Sequence, residues 1–138
     1  MEQDAALVVA RARLALGARF RPQGRSIGEG LDCVGLAAFA LGAEPALVPR
    51  DYSMRGTGWG TLARLLGERG LEAVDPKDLR AGDLAAFEPG PRQVHLAIIT
   101  AQAFIHADAG LRRVVERPFP APWPLAGLWR FGAAGEQG

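Results

Sequence analysis

The chain has 138 residues, of which 49% are hydrophobic and 22% are charged, and its formal net charge at pH 7 is +1. These values describe an ordinary globular chain that buries about two-thirds of its unfolded surface, and they exclude a disordered one. The near-neutral charge gives no electrostatic reason to expect nucleic acid as the main partner. The single cysteine cannot form an internal disulfide. We expect one domain over residues 1–131 and a flexible C-terminal tail over residues 132–138.

The first element is a predicted helix over Ala5 to Leu16, where apolar residues recur at helical spacing. Asp4 is a candidate N-cap for this helix, and Gly17 is a stop signal. The apolar stretch is too short for a transmembrane helix and lacks the basic start of a signal peptide. We therefore expect neither membrane insertion nor a signal peptide.

The next stretch leads to the only cysteine, Cys33. Arg19 to Gly30 is rich in glycine, which predicts a loop without regular structure. The apolar run from Leu36 to Leu41 then predicts a helix that ends at Gly42. Asp32 is well placed as the N-cap of this helix, so Cys33 falls in its first turn.

A cysteine at the start of a helix has two interpretations. The unpaired N–H groups and the positive end of the helix dipole stabilise a thiolate, so we expect the pKa of the Cys33 thiol to be lowered toward neutrality, as a nucleophile requires. Free cysteine is also among the most buried residue types and often acts only as a small hydrophobe. Cys33 alone does not decide between the two.

The second half of the chain changes from helix to strand. Ala43 to Gly58 is irregular and contains the sole tyrosine, Tyr52, and an amphipathic helix then runs from Trp59 until Gly70 ends it. Short strand-like runs separated by turn residues follow, and helices followed by such a meander predict an α+β domain. The expected strands are Leu71–Val74, Leu84–Phe87, Val94–Thr100, Ala103–Ala107, Arg112–Arg117 and Leu125–Phe131.

Both histidines of the chain fall in predicted strands. His95 and His106 are 11 residues apart, which suits opposite positions on neighbouring antiparallel strands. Each is compatible with a core histidine that has found a hydrogen-bond partner. Thiol acyl transfer asks for a thiolate, an imidazole that holds and returns the proton, and a polar group that orients the imidazole. Cys33, His95 and His106 fit these roles in that order, although their spacing does not prove that they meet.

A zinc site is a competing use of the same residues. Cys33, His95 and His106, with Asp32 or Asp108, carry the atoms that zinc prefers. The chain contains no short ligand pair such as C-x-x-C, however. We therefore expect no metal and no cofactor.

Four short motifs stand in order along the chain. They are Asp32–Leu36 around the cysteine, Arg80–Leu84 before a strand, Val94–Ile98 with the first histidine, and Phe104–Ala107 with the second. Together they resemble the NlpC family of papain-like cell-wall cysteine peptidases, from about Ala5 to Phe131. The resemblance implies a papain-like fold and hydrolysis of peptide bonds in peptidoglycan stems, typically between D-glutamate and a diamino acid.

The resemblance also implies a role for each site residue. Cys33 attacks the stem-peptide carbonyl, His95 protonates the leaving amine, and His106 orients His95. The backbone N–H of Cys33 is then a natural oxyanion donor. Asp32 helps to bind the amino end of the substrate, or it serves only as the helix cap.

Two positions depart from the family pattern. A tyrosine whose hydroxyl faces the site in many members is replaced by Phe20, and a serine that often follows the nucleophile is replaced by Val34. Loss of such a donor costs about 2 to 4 kcal/mol in the transition state if it acts as an oxyanion donor. We therefore expect weak, altered or absent activity, with Phe20 next to the substrate.

The loop before the cysteine is rich in arginine. Arg19, Arg21 and Arg25 suit a substrate carboxylate, because the guanidinium fork matches its geometry, or they form a solvated rim. The segment Arg21–Arg25 also resembles the branch of the family that is encoded among tail genes of phages and gene transfer agents. That branch implies an enzyme located in the virion or particle tail, with tail or baseplate proteins as partners.

Other functions stay open. The domain is alternatively a catalytically weakened structural plug or adaptor at a tail tip, or a papain-like acyltransferase or amidase that acts on another substrate. The connector from Pro118 to Pro124 carries Phe119 and Trp123. Together with Trp129, these side chains either dock onto a neighbouring tail subunit or cover the sheet.

Overall fold

Helices packed on an antiparallel sheet make up the computed structural model, which describes residues 5–43, 58–91 and 93–132. This α+β architecture confirms the expected fold class. Two residues named above, Asp4 and Tyr52, lie outside the described residues. The elements are α1 (Ala5–Leu14), β1 (Arg25–Ser26), β2 (Gly30–Leu31), α2 (Cys33–Leu41), α3 (Gly58–Glu68), β3 (Leu71–Val74), a 3-10 turn (Pro76–Asp78), β4 (Leu84–Phe87), β5 (His95–Ile99), β6 (Ala103–Asp108), β7 (Arg113–Pro118) and β8 (Leu125–Phe131).

The main sheet has six antiparallel strands in the order β3-β8-β4-β5-β6-β7. The central strand β4 is buried at every position, and β5 is buried at all positions after His95. Such continuous apolar runs arise where both faces of a sheet are covered. The expected strands Leu71–Val74, Leu84–Phe87 and Leu125–Phe131 match the structure residue for residue.

Helices α1 and α2 cover one face of the sheet. Val8 and Ala12 of α1 and Leu36 of α2 belong to one buried cluster with inward-facing strand residues such as Leu84 and Ile98. No helix within the described ranges is both long enough and apolar enough to span a membrane.

The connector after β7 covers the opposite face. Phe119 and Trp123 pack against a second buried cluster that includes Phe87 and Phe104. Trp129 of β8 is buried in the first cluster, on the helix face, with 7% of its surface exposed. Phe119 and Trp123 therefore cover the sheet, as one of the two expectations had it, and their docking onto a neighbouring subunit stays a prediction.

The segment from Arg19 to Gly30 is more regular than expected. Strand β1 lies within it and pairs antiparallel with β2, which begins at Gly30, so that Arg25 is opposite Leu31. The expectation of a loop without regular structure is wrong here, because two-residue strands are too short to show a period in the sequence. The segment also crosses α2 closely: a Cβ atom at Gly35 would overlap the carbonyl oxygen of Gly24.

The packed chain reaches Gly132. Its backbone N–H donates to the carbonyl oxygen of Gly70 at 3.0 Å, and the residue is buried. The fold therefore includes the first residue of the segment 132–138, whose remaining residues lie outside the described part. A flexible tail over residues 133–138 stays a prediction.

Candidate active site

The Asp32 side chain fixes the start of α2. Its Oδ1 atom accepts the backbone N–H of Gly35 at 2.8 Å and a guanidinium N–H of Arg25 at 2.8 Å. Its Oδ2 atom accepts the backbone N–H of Gln23 at 2.7 Å. The helix ends as expected at Gly42, which has a left-handed φ of 77°. The predicted N-cap and C-cap are both confirmed.

Arg25 belongs to this cap and not to the protein surface. Only 4% of the residue is exposed, and its guanidinium also donates to the carbonyl oxygen of Gly24 at 2.9 Å. A buried charge must be paired, and Asp32 is its ionic partner. Substrate binding and a solvated rim are therefore both wrong for Arg25. The side chains of Arg19 and Arg21 are exposed.

The thiol of Cys33 faces strand β5. Backbone hydrogen bonding from Leu96, and more weakly from Cys33 itself, acts to lower the pKa of this thiol. Leu96 directly follows His95 in the strand. The packing of α2 on the sheet thus brings the only thiol in the chain next to Leu96, the residue that follows the first histidine.

Burial outweighs the effect of the helix start on this thiol. Desolvation is the largest influence and raises the pKa of Cys33 to about 11, and the negative charge of Asp32 adds to the increase. The expectation of a lowered pKa is wrong, because the loss of hydration disfavours the thiolate more than the backbone hydrogen bonds and the charge of Arg25 favour it. Cys33 is therefore a protonated thiol at neutral pH.

The two histidines lie on adjacent strands and their rings meet. The β5–β6 register pairs Ile98 with Ile105, and continuing it places His106 opposite Ala97. The expectation that the histidines are directly opposite is therefore wrong by two positions, and they are diagonal neighbours instead. Their rings still bridge the diagonal, with 2.8 Å between Nε2 of His95 and Nδ1 of His106.

Both imidazoles are neutral at pH 7. Desolvation lowers the pKa of His95 to about 4, and the charge of His106 acts in the same direction, against the opposing effect of Asp108. Desolvation also lowers the pKa of His106, against Asp108, while Arg117 lowers it further. Because Nε2 of His95 faces His106, only the Nδ1 atom of His95 is left to bind another partner.

Trp123 packs against the histidine pair. Its ring centroid lies 5.0 Å from that of His95 and 5.6 Å from that of His106, with the rings edge to face. The guanidinium of Arg117 lies 5.8 Å from the centroid of the indole ring. The sequence analysis did not predict the contacts of Trp123 with the two histidines. The aromatic residues in the proline-rich connector were nevertheless a signal that the connector folds back on the sheet.

Phe20 and Arg21 lie beside the segment that leads into α2. Phe20 forms an isolated bridge with Leu31, two residues before Cys33, and packs against the main core. The backbone N–H of Arg21 donates to the carbonyl oxygen of Leu31 at 3.2 Å. Their position is compatible with the predicted contacts to substrate, which stay a prediction.

The alternative zinc ligands do not gather into one group. Asp32 is engaged by the cap of α2, whereas Asp108 lies beside His106. Within the described part of the chain, no three or more histidine, cysteine or acidic side chains are grouped so as to hold a metal ion.

This chain is similar to solved structures of other proteins. No protein-family model and no curated protein matches it. NlpC1 from Trichomonas vaginalis is 20% identical with a TM-score of 0.68, over 94% of this chain and 46% of that one. The peptidoglycan hydrolase RipB from Mycobacterium tuberculosis is 21% identical with a TM-score of 0.63, over 91% of this chain and 63% of that one.

RipD, also from Mycobacterium tuberculosis, is described as a non-catalytic NlpC/p60 domain protein adapted to a peptidoglycan-binding function. It is 18% identical with a TM-score of 0.57, over 91% of this chain and 94% of that one.

These similarities define the fold. The chain has the NlpC/p60 fold, a papain-like α+β domain, as the sequence motifs implied. It spans about half the length of NlpC1 and less than two-thirds of RipB. At these identities the activity has to be argued from the chain's own site.

Replacing Trp123 by alanine tests the role of the connector in setting the histidine pKa values. Without the indole, water reaches the pair, so the pKa of His95 should rise from about 4 toward its ordinary value near 6.5. An NMR pH titration of the two imidazoles measures the shift. Phe119→Ala is the matched control, because Phe119 packs against Phe104. Equal titration curves for both variants and the wild type would contradict the role of Trp123 in lowering the pKa values of the histidines.

Proposed function

We propose that this protein is a cysteine peptidase that hydrolyses peptide bonds in peptidoglycan stems. The observation that carries the proposal is the meeting of Cys33, at the start of α2, with the strand that bears His95, whose ring is hydrogen-bonded to His106. The fold shared with RipB, a peptidoglycan hydrolase, supports the substrate class.

The protonation states of the site define how the reaction starts. With a neutral thiol and a neutral imidazole, Nδ1 of His95 takes the thiol proton as the Cys33 sulfur bonds to the carbonyl carbon. The backbone N–H of Cys33 is the proposed donor to the oxygen that becomes negative. His95 returns the proton to the amine as the C–N bond breaks. Water, deprotonated by the same imidazole, then hydrolyses the thioester and restores the thiol.

Asp32 has capacity for a second role beside the helix cap. A carboxylate offers about four acceptor positions, and three of them are occupied by Gln23, Arg25 and Gly35. The remaining position is available to the amino end of a stem peptide. Phe20 and Arg21 are the proposed neighbours of that peptide, and Phe20 lacks the hydroxyl that would help to hold a developing charge.

We place this activity on the tail of a phage or gene transfer agent particle, with tail or baseplate proteins as partners. This setting follows from the resemblance of the Arg21–Arg25 segment and adjoining motif to that branch of the family. Proteomic detection of the protein in purified particles would support it. Its absence from particles whose other tail proteins are detected would overturn it.

Peptidoglycan binding without catalysis is the second candidate function, and the raised pKa of Cys33 favours it. A protein that holds a protonated, half-buried thiol can bind a stem peptide without attacking it. RipD, a non-catalytic NlpC/p60 domain, provides a structural precedent. Such a domain would act as a plug or adaptor in the particle.

Mass spectrometry of defined muropeptides incubated with the protein separates the two functions. The peptidase releases new stem fragments, whose masses identify the bond, and Cys33→Ala abolishes their release because no other cysteine is present. Retained muropeptide binding by the variant shows that the fold is intact. Binding by the wild type without fragments from any stem type would refute the peptidase and leave the binding domain.

A further inference from the structure

The far side of His106 holds an unsatisfied buried atom. His106 is 1% exposed, and its Nε2 atom has no hydrogen-bond partner among the described residues. A buried polar group without a partner costs about 1 to 3 kcal/mol. The Oδ2 atom of Asp108 lies 3.8 Å away, which is too long for a hydrogen bond and too short for a water molecule to bridge. A small rotation of the carboxylate would make the contact direct.

We propose that Asp108 is a positioning residue that fixes the tautomers of both histidines, so that Nδ1 of His95 is free to accept the Cys33 proton. This proposal rests on the proposed peptidase function, but the position of Asp108 beside His106 does not depend on that function. Asp108 does not touch the reacting atoms. It acts through His106.

The direction of the proton chain follows from the acceptor character of a carboxylate. Asp108 can only accept, so it favours a proton on Nε2 of His106. Neutral His106 then has an unprotonated Nδ1, which must accept from Nε2–H of His95 across the 2.8 Å contact. Neutral His95 is thereby left with an unprotonated Nδ1, which is the form that a general base needs.

The opposite tautomers would disable the site. A proton on Nδ1 of His106 would turn the lone pair of its Nε2 atom toward the Asp108 carboxylate, which is repulsive. It would also place the remaining proton of His95 on Nδ1, where it blocks transfer from Cys33. Of the two charged side chains that shift the pKa of His106, Arg117 is cationic and cannot accept a proton, so Asp108 alone favours the productive form.

The turn between β6 and β7 holds Asp108 in place. Its Oδ1 atom accepts the backbone N–H of Leu111 at 3.0 Å, which leaves Oδ2 directed at His106. Asp108→Asn therefore tests the contact with His106 separately from the contact with Leu111. The amide oxygen keeps the bond to Leu111, so the amide NH₂ takes the place of Oδ2 and donates to Nε2 of His106. The substitution reverses the preferred tautomer while it preserves the turn.

Long-range ¹H–¹⁵N NMR of the two imidazoles at pH 7 tests the proposal. The wild type should carry its ring protons on Nε2 in both histidines, and Asp108→Asn should move both to Nδ1. Asp75→Asn is the matched control, because Asp75 caps an exposed turn through the N–H of Lys77 in the same way. It should leave both tautomers unchanged.

Unchanged tautomers in Asp108→Asn, or Nδ1–H on His106 in the wild type, would overturn the proposal. The second readout is stem-peptide cleavage, where kcat should fall at least ~10-fold in Asp108→Asn with KM unchanged, because the base has the wrong tautomer. If the wild type cleaves no stem peptide, the peptidase function fails, while the tautomer measurement still decides the role of Asp108.

Discussion

The contact between the start of α2 and the start of β5 is the constraint on which the site depends. Asp32 holds the helix start through three hydrogen bonds, and one of its partners is the buried guanidinium of Arg25. The thiol of Cys33 then meets the backbone of Leu96, next to His95. A shift of the cap would therefore move the thiol of Cys33 relative to His95, its proposed base.

The same packing explains the protonation states. Helices cover one face of the sheet and the connector covers the other, so the thiol and the two imidazoles lose hydration together. Desolvation disfavours the charged form of each group, which raises the pKa of Cys33 and lowers those of His95 and His106. The thiol and both imidazoles are therefore uncharged at neutral pH, and the two imidazoles are joined by a hydrogen bond. The direction of proton transfer would therefore be set by which ring nitrogens carry protons, and not by charged groups.

Local signals in the sequence predicted most of the fold. The Asp32 cap, the Gly42 stop and the strand Leu84–Phe87 are each encoded by a few adjacent residues, and all three are found. The candidate triad also followed from residue types, because the chain has one cysteine and two histidines from which to choose.

Features that depend on distant parts of the chain were not predictable in this way. The thiol pKa depends on how completely other elements bury Cys33, and the helix start alone gave the wrong direction. The internal role of Arg25 depends on a two-residue strand pairing. The contact of Trp123 with the histidines depends on how the connector folds back across the sheet. None of these three features can be derived from the spacing of residues in the sequence.

The central claim is that Cys33 rests as a neutral thiol and becomes a nucleophile only when His95 removes its proton. The pH dependence of iodoacetamide alkylation tests it most directly, and intact-protein mass spectrometry reports on this one cysteine alone. Because only the thiolate reacts, a thiol with a pKa of about 11 should react about tenfold faster per pH unit, without a plateau below pH ~10. The urea-unfolded chain is the control, and its rate should be half-maximal near pH ~8.5 and level off above pH ~9.5. A plateau at neutral or acidic pH in the folded protein would show a preformed thiolate and contradict the claim.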